Sequence, residues 1–496
     1  MLRTARGSIG VLTAMASIAL TGLAASAADW PQWRGPTENG LSDEKNLPLT
    51  WGGKDNANVL WKIELPKSHN PFSSPIVSRG KVFIASALDK PLEHRVLCYQ
   101  ASDGKLLWDT PVEPGPWKLT DVRGGYNAPT PAADGERVYA VFGSAVIAAL
   151  DYDGKLLWRS PLKVVDFDVA MGMSPIVYED TVLLLCERVK RNSSLIAFDR
   201  KTGDVKWEAK RPNSTFAHTT PLLTKVNGKP MLIVGVSNAL QGVDPADGKI
   251  IWSCPFQGDV PTPVHGDAVA YCDGGRGGTA GIAVDPTGTG DVAKTHVKWK
   301  TDPLPEAFGS AVIIGDCLYR LTNSGSFRCL KLATGEQVYA QKLPGVCGRA
   351  SPVATADGRI YCASGGKSYV VQSGPEFKIL GTSDLGDPNG WSKPQRILDR
   401  QGILAATTIG KATGEMVLVP QGVYYGELRP AADGTVIADT VSSGWYPQVI
   451  GTEKGETDKL CGRTCRFFPP SATITSSMAP CSGGPRSTGI PTCRCT

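Results

Sequence analysis

IAALDYDGKLLW, residues 147–158, decides the fold of this 496-residue chain. The stretch opens with apolar residues suited to a short buried strand. It then turns at Asp153-Gly154 and returns through Lys-Leu-Leu-Trp. Asp-Gly between two strand-like runs is a hairpin signal, because glycine accepts the positive φ that a tight turn demands. Related versions stand at LCYQASDGKLLW (97–108), LIAFDRKTGDVKW (195–207) and LQGVDPADGKIIW (240–252). A stretched one reads GIAVDPTGTGDVAKTHVKW (281–299), and a weaker one FRCLKLATGEQVY (327–339). A tryptophan recurring at the end of such a strand suits packing between neighbouring units, where a flat ring fills a wedge-shaped gap.

Working outward, each of these hairpins is preceded by an opener of small residue, proline and apolar strand. The openers are SSPIVSRGKVFIAS (73–86), APTPAADGERVYAV (128–141), MSPIVYEDTVLLLC (173–186) and TTPLLTKVNGKPMLIVG (219–235). They continue at PTPVHGDAVAYCD (261–273), GSAVIIGDCLYRL (309–321) and ASPVATADGRIYCAS (350–364). The aligned positions are Pro75, Pro131, Pro175, Pro221, Pro263 and Pro352, with Ala311 in the same slot. Four short strands repeating about every 46 residues form a propeller blade; a β-solenoid has shorter repeats and no such hairpin. The fold class is therefore all-β, a β-propeller of eight-bladed type. Seven repeats are clear. NVLWKIEL (58–65) reads as an outer strand with no partners before it, so it would close an eighth blade whose other strands follow residue 386. Such mutual pairing leaves no sheet edge open.

The Asp–Gly–Trp closing strands resemble the pyrroloquinoline-quinone-like repeat of eight-bladed quinoprotein-type propellers. DWPQWRGP (29–36) is similar to the opening of exported propellers of this class from planctomycete-type bacteria. The resemblance covers about residues 29–386 and implies fold more than function, because the repeat serves quinone-dependent alcohol dehydrogenases and also the lipoprotein that assists outer-membrane protein assembly. A quinone dehydrogenase of this kind carries a disulfide between adjacent cysteines, a calcium on oxygen ligands and a catalytic aspartate. No Cys-Cys pair exists here and no matching motif places the other groups, so no cofactor is assigned, and pyrroloquinoline quinone and calcium lack motif support.

The domain organisation follows. Residues 1–28 read as a signal peptide, with Arg3 and Arg6, an apolar run from Ile9 to Ala25, and a small-residue cleavage pattern before Asp29. Residues 29–386 are the propeller. Residues 387–450 are a divergent or incomplete last blade, in which GILAATTI (402–409), EMVLVPQGVYYGEL (415–428) and TVIADTV (435–441) have strand character. Residues 451–496 are a low-order tail rich in Cys, Pro and Ser. Either the last blade has diverged or the reading frame changes near 387; resequencing the coding region decides. The expected location is periplasmic or extracellular, with no transmembrane segment.

A net charge of +5 without clustered Lys or Arg excludes a nucleic-acid footprint. Of thirteen cysteines, Cys98, Cys186, Cys272, Cys317, Cys329 and Cys362 lie in apolar strand runs, as small buried residues do. The spacing of Cys461, Cys465, Cys481, Cys493 and Cys495 does not suit tetrahedral zinc, and no metal site is assigned. The five histidines fall in no catalytic motif, and GGRGG (274–278) leads from strand to strand with no helix to hold phosphate. No catalytic residue is assigned.

Position supplies the site. The loop before each blade's innermost strand lies at one mouth of the central channel, where loops of all blades converge. Those loops contribute His69, Arg123, Tyr126, Asn127, His218, Glu306 and Arg349 as candidate ligand- or partner-binding residues. The expected function is that of a non-catalytic exported scaffold, a monomer, binding envelope proteins or polysaccharide. The alternatives are a quinone-dependent oxidoreductase and a carbohydrate-binding or carbohydrate-processing propeller.

Overall fold

The computed structural model describes residues 29–384, apart from 53–54, 66–72, 90, 119–124, 163–170, 188–192, 212–216, 276–277, 345–349 and 365–366. Beyond 384 it describes only short strands between 395 and 466. The described residues contain no helix, and so none long and apolar enough to cross a membrane. The expected signal peptide, residues 1–28, and most of the two C-terminal regions lie outside the described residues.

From Ile76 to Asp384 the chain folds into seven consecutive antiparallel sheets, each of four strands in sequence order. Their first strands are Ile76–Ser78, Ala132–Ala133, Ile176–Tyr178, Leu222–Val226, Val264–Gly266, Val312–Ile314 and Val353–Thr355. First strands of successive sheets lie side by side, so they face a common axis. The second and third strands are almost wholly buried, as in Thr181–Cys186 and Val146–Asp151, whereas fourth strands such as Val205–Arg211 alternate between exposed and buried. The molecule is a β-propeller, and the apolar clusters lie between its blades. One joins blades 2, 3 and 4, others join blades 1 and 2, 4 and 5, 5 and 6, and 6 and 7.

Two repeated contacts explain the sequence signature. The first uses the closing tryptophan. The indole Nε1 of Trp108 donates to Tyr152 O of the next blade at 3.0 Å, that of Trp158 to Arg200 O at 3.1 Å, and that of Trp299 to Leu332 O at 2.8 Å. Each ring lies flat under the next blade's turn glycine, where a Cβ on Gly154, Gly203 or Gly335 would come within 2.5–2.6 Å of ring carbon. Those glycines also hold φ between +74° and +87°, so the turn needs glycine twice over. Trp61 repeats this dock on blade 1, donating to Ala101 O at 2.8 Å under Gly104. Trp61, Ile63 and Leu65 pack there on Val82, Ile84, Leu97 and Tyr99. The segment 58–65 thus stands against blade 1 as the outer strands of blades 1, 2 and 5 stand against their successors. Ile63–Glu64 also pairs with Gln395–Arg396, which brings the two ends of the repeat region together.

The second contact is a ring of hydroxyls. The residue before each aligned proline, or before Ala311, is Ser74, Thr130, Ser174, Thr220, Thr262, Ser310 or Ser351. The backbone N–H of Ser74 donates to Thr130 Oγ1, that of Thr130 to Ser174 Oγ, and that of Ser174 to Thr220 Oγ1. A second run takes Thr262 N to Ser310 Oγ and Ser310 N to Ser351 Oγ, and all five bonds are 2.8–3.0 Å. The proline that follows has no N–H and fixes the backbone's approach to the inner strand.

The stretched signature of blade 5 has a separate outcome. Its extra residues carry a short strand, Gly290–Asp291, across to pair in parallel with Trp252 and Ser253 on the outer strand of blade 4. Val292 is buried behind it.

Candidate functional site

Strand direction separates two faces. Loops joining fourth to first strands, and second to third strands, lie on one face; the Asp-Gly turns and the first-to-second turns lie on the other. The segment from Asp29 enters the channel from the second face. The Asp29 carboxylate accepts hydrogen bonds from Ser78 Oγ at 3.0 Å and Arg79 N at 2.9 Å, and Trp30 pairs with Val77. Pro31 O accepts from Ala133 N of blade 2. At the level of the hydroxyl ring, Trp33 Nε1 donates to Thr262 Oγ1 at 2.9 Å, and Arg34 Nη2 donates to Ala311 O and Asn39 O. The chain then turns back. The Glu38 carboxylate accepts from Leu223 N at 2.7 Å and Gln32 Nε2 at 3.0 Å, and Asn39 Oδ1 accepts from His265 N. Leu41–Ser42 adds a parallel strand to the inner edge of blade 7. Residues 29–42 therefore touch the inner strands of blades 1, 2, 4, 5, 6 and 7 and fill that end of the channel.

Burial sets the charge state of this plug. Glu38, 4% exposed, has its carboxyl pushed up to about 8 by desolvation, against the hydrogen bonds from Leu223 and Gln32 that favour the anion. Arg34, 3% exposed, has its pKa drawn down to about 9 by desolvation.

At the opposite mouth, His69, Arg123 and Arg349 lie outside the described residues. The other four candidates sit at three different blade seams. Tyr126 and Asn127 belong to the seam of blades 1 and 2. Asn127 is fully buried and its Nδ2 donates to Ala85 O at 3.1 Å; Tyr126 O accepts from Gly143 N and its ring stands 5.7 Å from His94. His218 is half-buried at the seam of blades 3 and 4, its backbone N–H on Asp259 O. Glu306, between blades 5 and 6, accepts from Asn323 Nδ2 at 2.8 Å. Asn127 and Glu306 thus hold loops against blades.

Sequence reasoning missed the buried polar groups beneath this mouth. Arg320 forms a two-pronged pair with Asp273, 1% and 2% exposed, and Tyr271 Oη donates to the same carboxylate. Glu187 takes Arg211 Nε at 3.0 Å, and Arg211 Nη2 reaches Gln241 of blade 4 at 2.7 Å. Their signal is an acid directly after a cysteine at the end of a second strand, Cys186-Glu187 and Cys272-Asp273. His94 is the third such group. It stacks on Phe142 at 4.4 Å with ring planes 4° apart, and burial, reinforced by Arg159, draws its pKa down to about 3.

Residues 92–262 match the family model described as "Outer membrane protein assembly factor BamB". The repeat is of the pyrroloquinoline-quinone-like class. No curated protein matches the chain. Among solved structures, BamB from Moraxella catarrhalis is 14% identical over 66% of this chain and 91% of that one, with a TM-score of 0.47. A europium-containing methanol dehydrogenase is 12% identical over 69% and 89%, with a TM-score of 0.41. The quinohemoprotein alcohol dehydrogenase from Comamonas testosteroni is 13% identical over 72% and 78%, also at 0.41.

The strand-lined channel that a planar quinone would need is filled, from the Asp-Gly-turn face up to the hydroxyl ring, by Trp33, Arg34 and Glu38. The seven described cysteines are all buried and free, and no two are adjacent in sequence. These residues do not fit the group, and no catalytic step is derived through it. Among the described residues no cluster of three or more His, Cys, Asp or Glu side chains could hold a metal ion.

Proposed function

We propose that this protein is a non-catalytic, exported propeller that holds a protein partner of the cell envelope on the loops at its open channel mouth. The observation that carries the reading is the plug. With residues 29–42 hydrogen-bonded to six blades, ligands meet a channel that is closed from one side, and the opposite mouth is left as the converging surface. The match of residues 92–262 to an assembly-factor family supports a partner-binding role, and the N-terminal sequence supports export. In this reading Tyr126, Asn127, His218 and Glu306 shape the loops, and His69, Arg123 and Arg349 extend the same face. Segment 58–65, docked on blade 1 through Trp61, closes an eighth blade with strands that follow residue 386.

Calorimetric titration with pyrroloquinoline quinone and calcium separates this reading from an oxidoreductase. The expected result is no stoichiometric heat; tight equimolar binding would put the oxidoreductase in front.

A further inference from the structure

The motif DWPQWRGP contains an arginine whose charge has no acidic partner among the described residues. Arg34 holds a left-handed backbone, φ 61°, between Trp33 and the turn at Gly35, and its guanidinium is buried against Gly40 and Val312. Nη2 donates to two carbonyls, Asn39 O and Ala311 O. Nε–H and the Nη1 group have no hydrogen-bond partner among the described residues. Among the described residues no carboxylate makes an ion pair with it. The acid of the same plug, Glu38, is turned away to Leu223 N of blade 4 and to Gln32 Nε2.

An arginine does not escape burial by losing its proton, as lysine or glutamate can. A desolvated guanidinium without an anion costs several kcal/mol. The surroundings are those of an anion site. Arg34 is anchored on Ala311 O, the residue after Ser310, whose hydroxyl accepts from Thr262 N, and Trp33 Nε1 is fixed on the Thr262 hydroxyl. Hydroxyls and guanidinium N–H groups together are the donors that phosphate and sulfate take.

We infer that Arg34, with the hydroxyl ring at the seam of blades 5 and 6, binds a small inorganic oxyanion of the phosphate or sulfate class inside the channel. The anion ties the tip of the plug to the blades, so its binding stabilises the closed channel. This site is independent of any partner at the mouth.

The test uses the full-length exported protein in a non-coordinating buffer, with sodium phosphate as the probe. The expected result is a saturable rise in melting midpoint with phosphate, absent with sodium chloride at equal ionic strength, and a one-to-one calorimetric isotherm. Arg34→Gln weakens phosphate binding roughly tenfold or more, the loss expected of one charge-assisted hydrogen bond. If Arg34→Gln does not fold, Arg34→Lys, which keeps the charge but not the guanidinium, is expected to show the same loss in smaller measure. A wild-type protein with no saturable response, or variants that respond as the wild type does, would overturn the inference.

Discussion

Replacing Gly203 with alanine isolates the contact that joins one blade to the next. Gly203 and Gly228 share the same backbone conformation, φ +76° at each. At both, alanine pays the cost of a left-handed conformation, about 1 kcal/mol. They differ in surroundings. A Cβ on Gly228 meets nothing within 4 Å, whereas one on Gly203 comes 2.5 Å from Trp158 Cε3, 2.6 Å from Cδ2 and 2.9 Å from Ser160 Oγ. Trp158 cannot retreat cheaply, since its Nε1 is held by Arg200 O and its ring lies in the cluster joining blades 2 to 4. Overpacking of this kind adds about 1–3 kcal/mol. Urea denaturation followed by tryptophan fluorescence should place Gly203→Ala below Gly228→Ala by that difference. Equal midpoints for the two variants would refute the claim that the turn glycine exists to admit the neighbouring ring.

Other expectations follow from the same contacts. Trp61→Ala should cost about 3–5 kcal/mol, as for a core aromatic, because Trp61 docks on blade 1 as Trp108 docks on blade 2; a surface-like loss under 0.5 kcal/mol in chemical denaturation would count against ring closure by this segment. Arg320→Met or Asp273→Leu alone strands a buried charge and should cost about 3–5 kcal/mol, while the two together recover most of it in a double-mutant cycle. Two groups give opposite pH slopes. Glu38 is raised to about 8, so its contribution is full below the ordinary carboxylate range and is lost as pH rises through 8; Glu38→Gln should remove that alkaline loss, at most about 4 kcal/mol in denaturation at pH 5 against pH 9. His94 is lowered to about 3, so its contribution is present above pH 6.5 and is lost as pH falls towards 3; His94→Phe should keep the stack on Phe142 and flatten the acid side of the same profile.

The propeller was legible in the sequence because its signature is local. Asp-Gly, the closing Trp and the aligned proline each act within one blade or on the next, so the repeat displays them at fixed offsets. The residue before the proline read only as small; that it is always Ser or Thr has its reason in the hydroxyl ring. The plug was not legible. Arg34 meets Ala311, and Glu38 meets Leu223, at separations of 277 and 185 residues, and residues 29–42 carry no period to announce them. The acids Glu187 and Asp273 were hidden for a related reason: each ends an ordinary apolar strand, and only the fold supplies Arg211 and Arg320. The stretched hairpin of blade 5 was visible as extra length, but its pairing with blade 4 depends on the ring geometry. The mouth candidates were chosen by loop position alone, and position does not separate a loop anchor such as Asn127 from a residue that faces a partner.

The most direct test of the account is site-specific photo-crosslinking in the native envelope. A photoreactive residue is placed at Glu306 or Asn238, on the open mouth, and at Lys105 or Lys155, on the Asp-Gly-turn face. The account predicts a discrete protein adduct from the mouth positions and none from the turn positions. Adducts from the turn face alone, or from neither face, would contradict it.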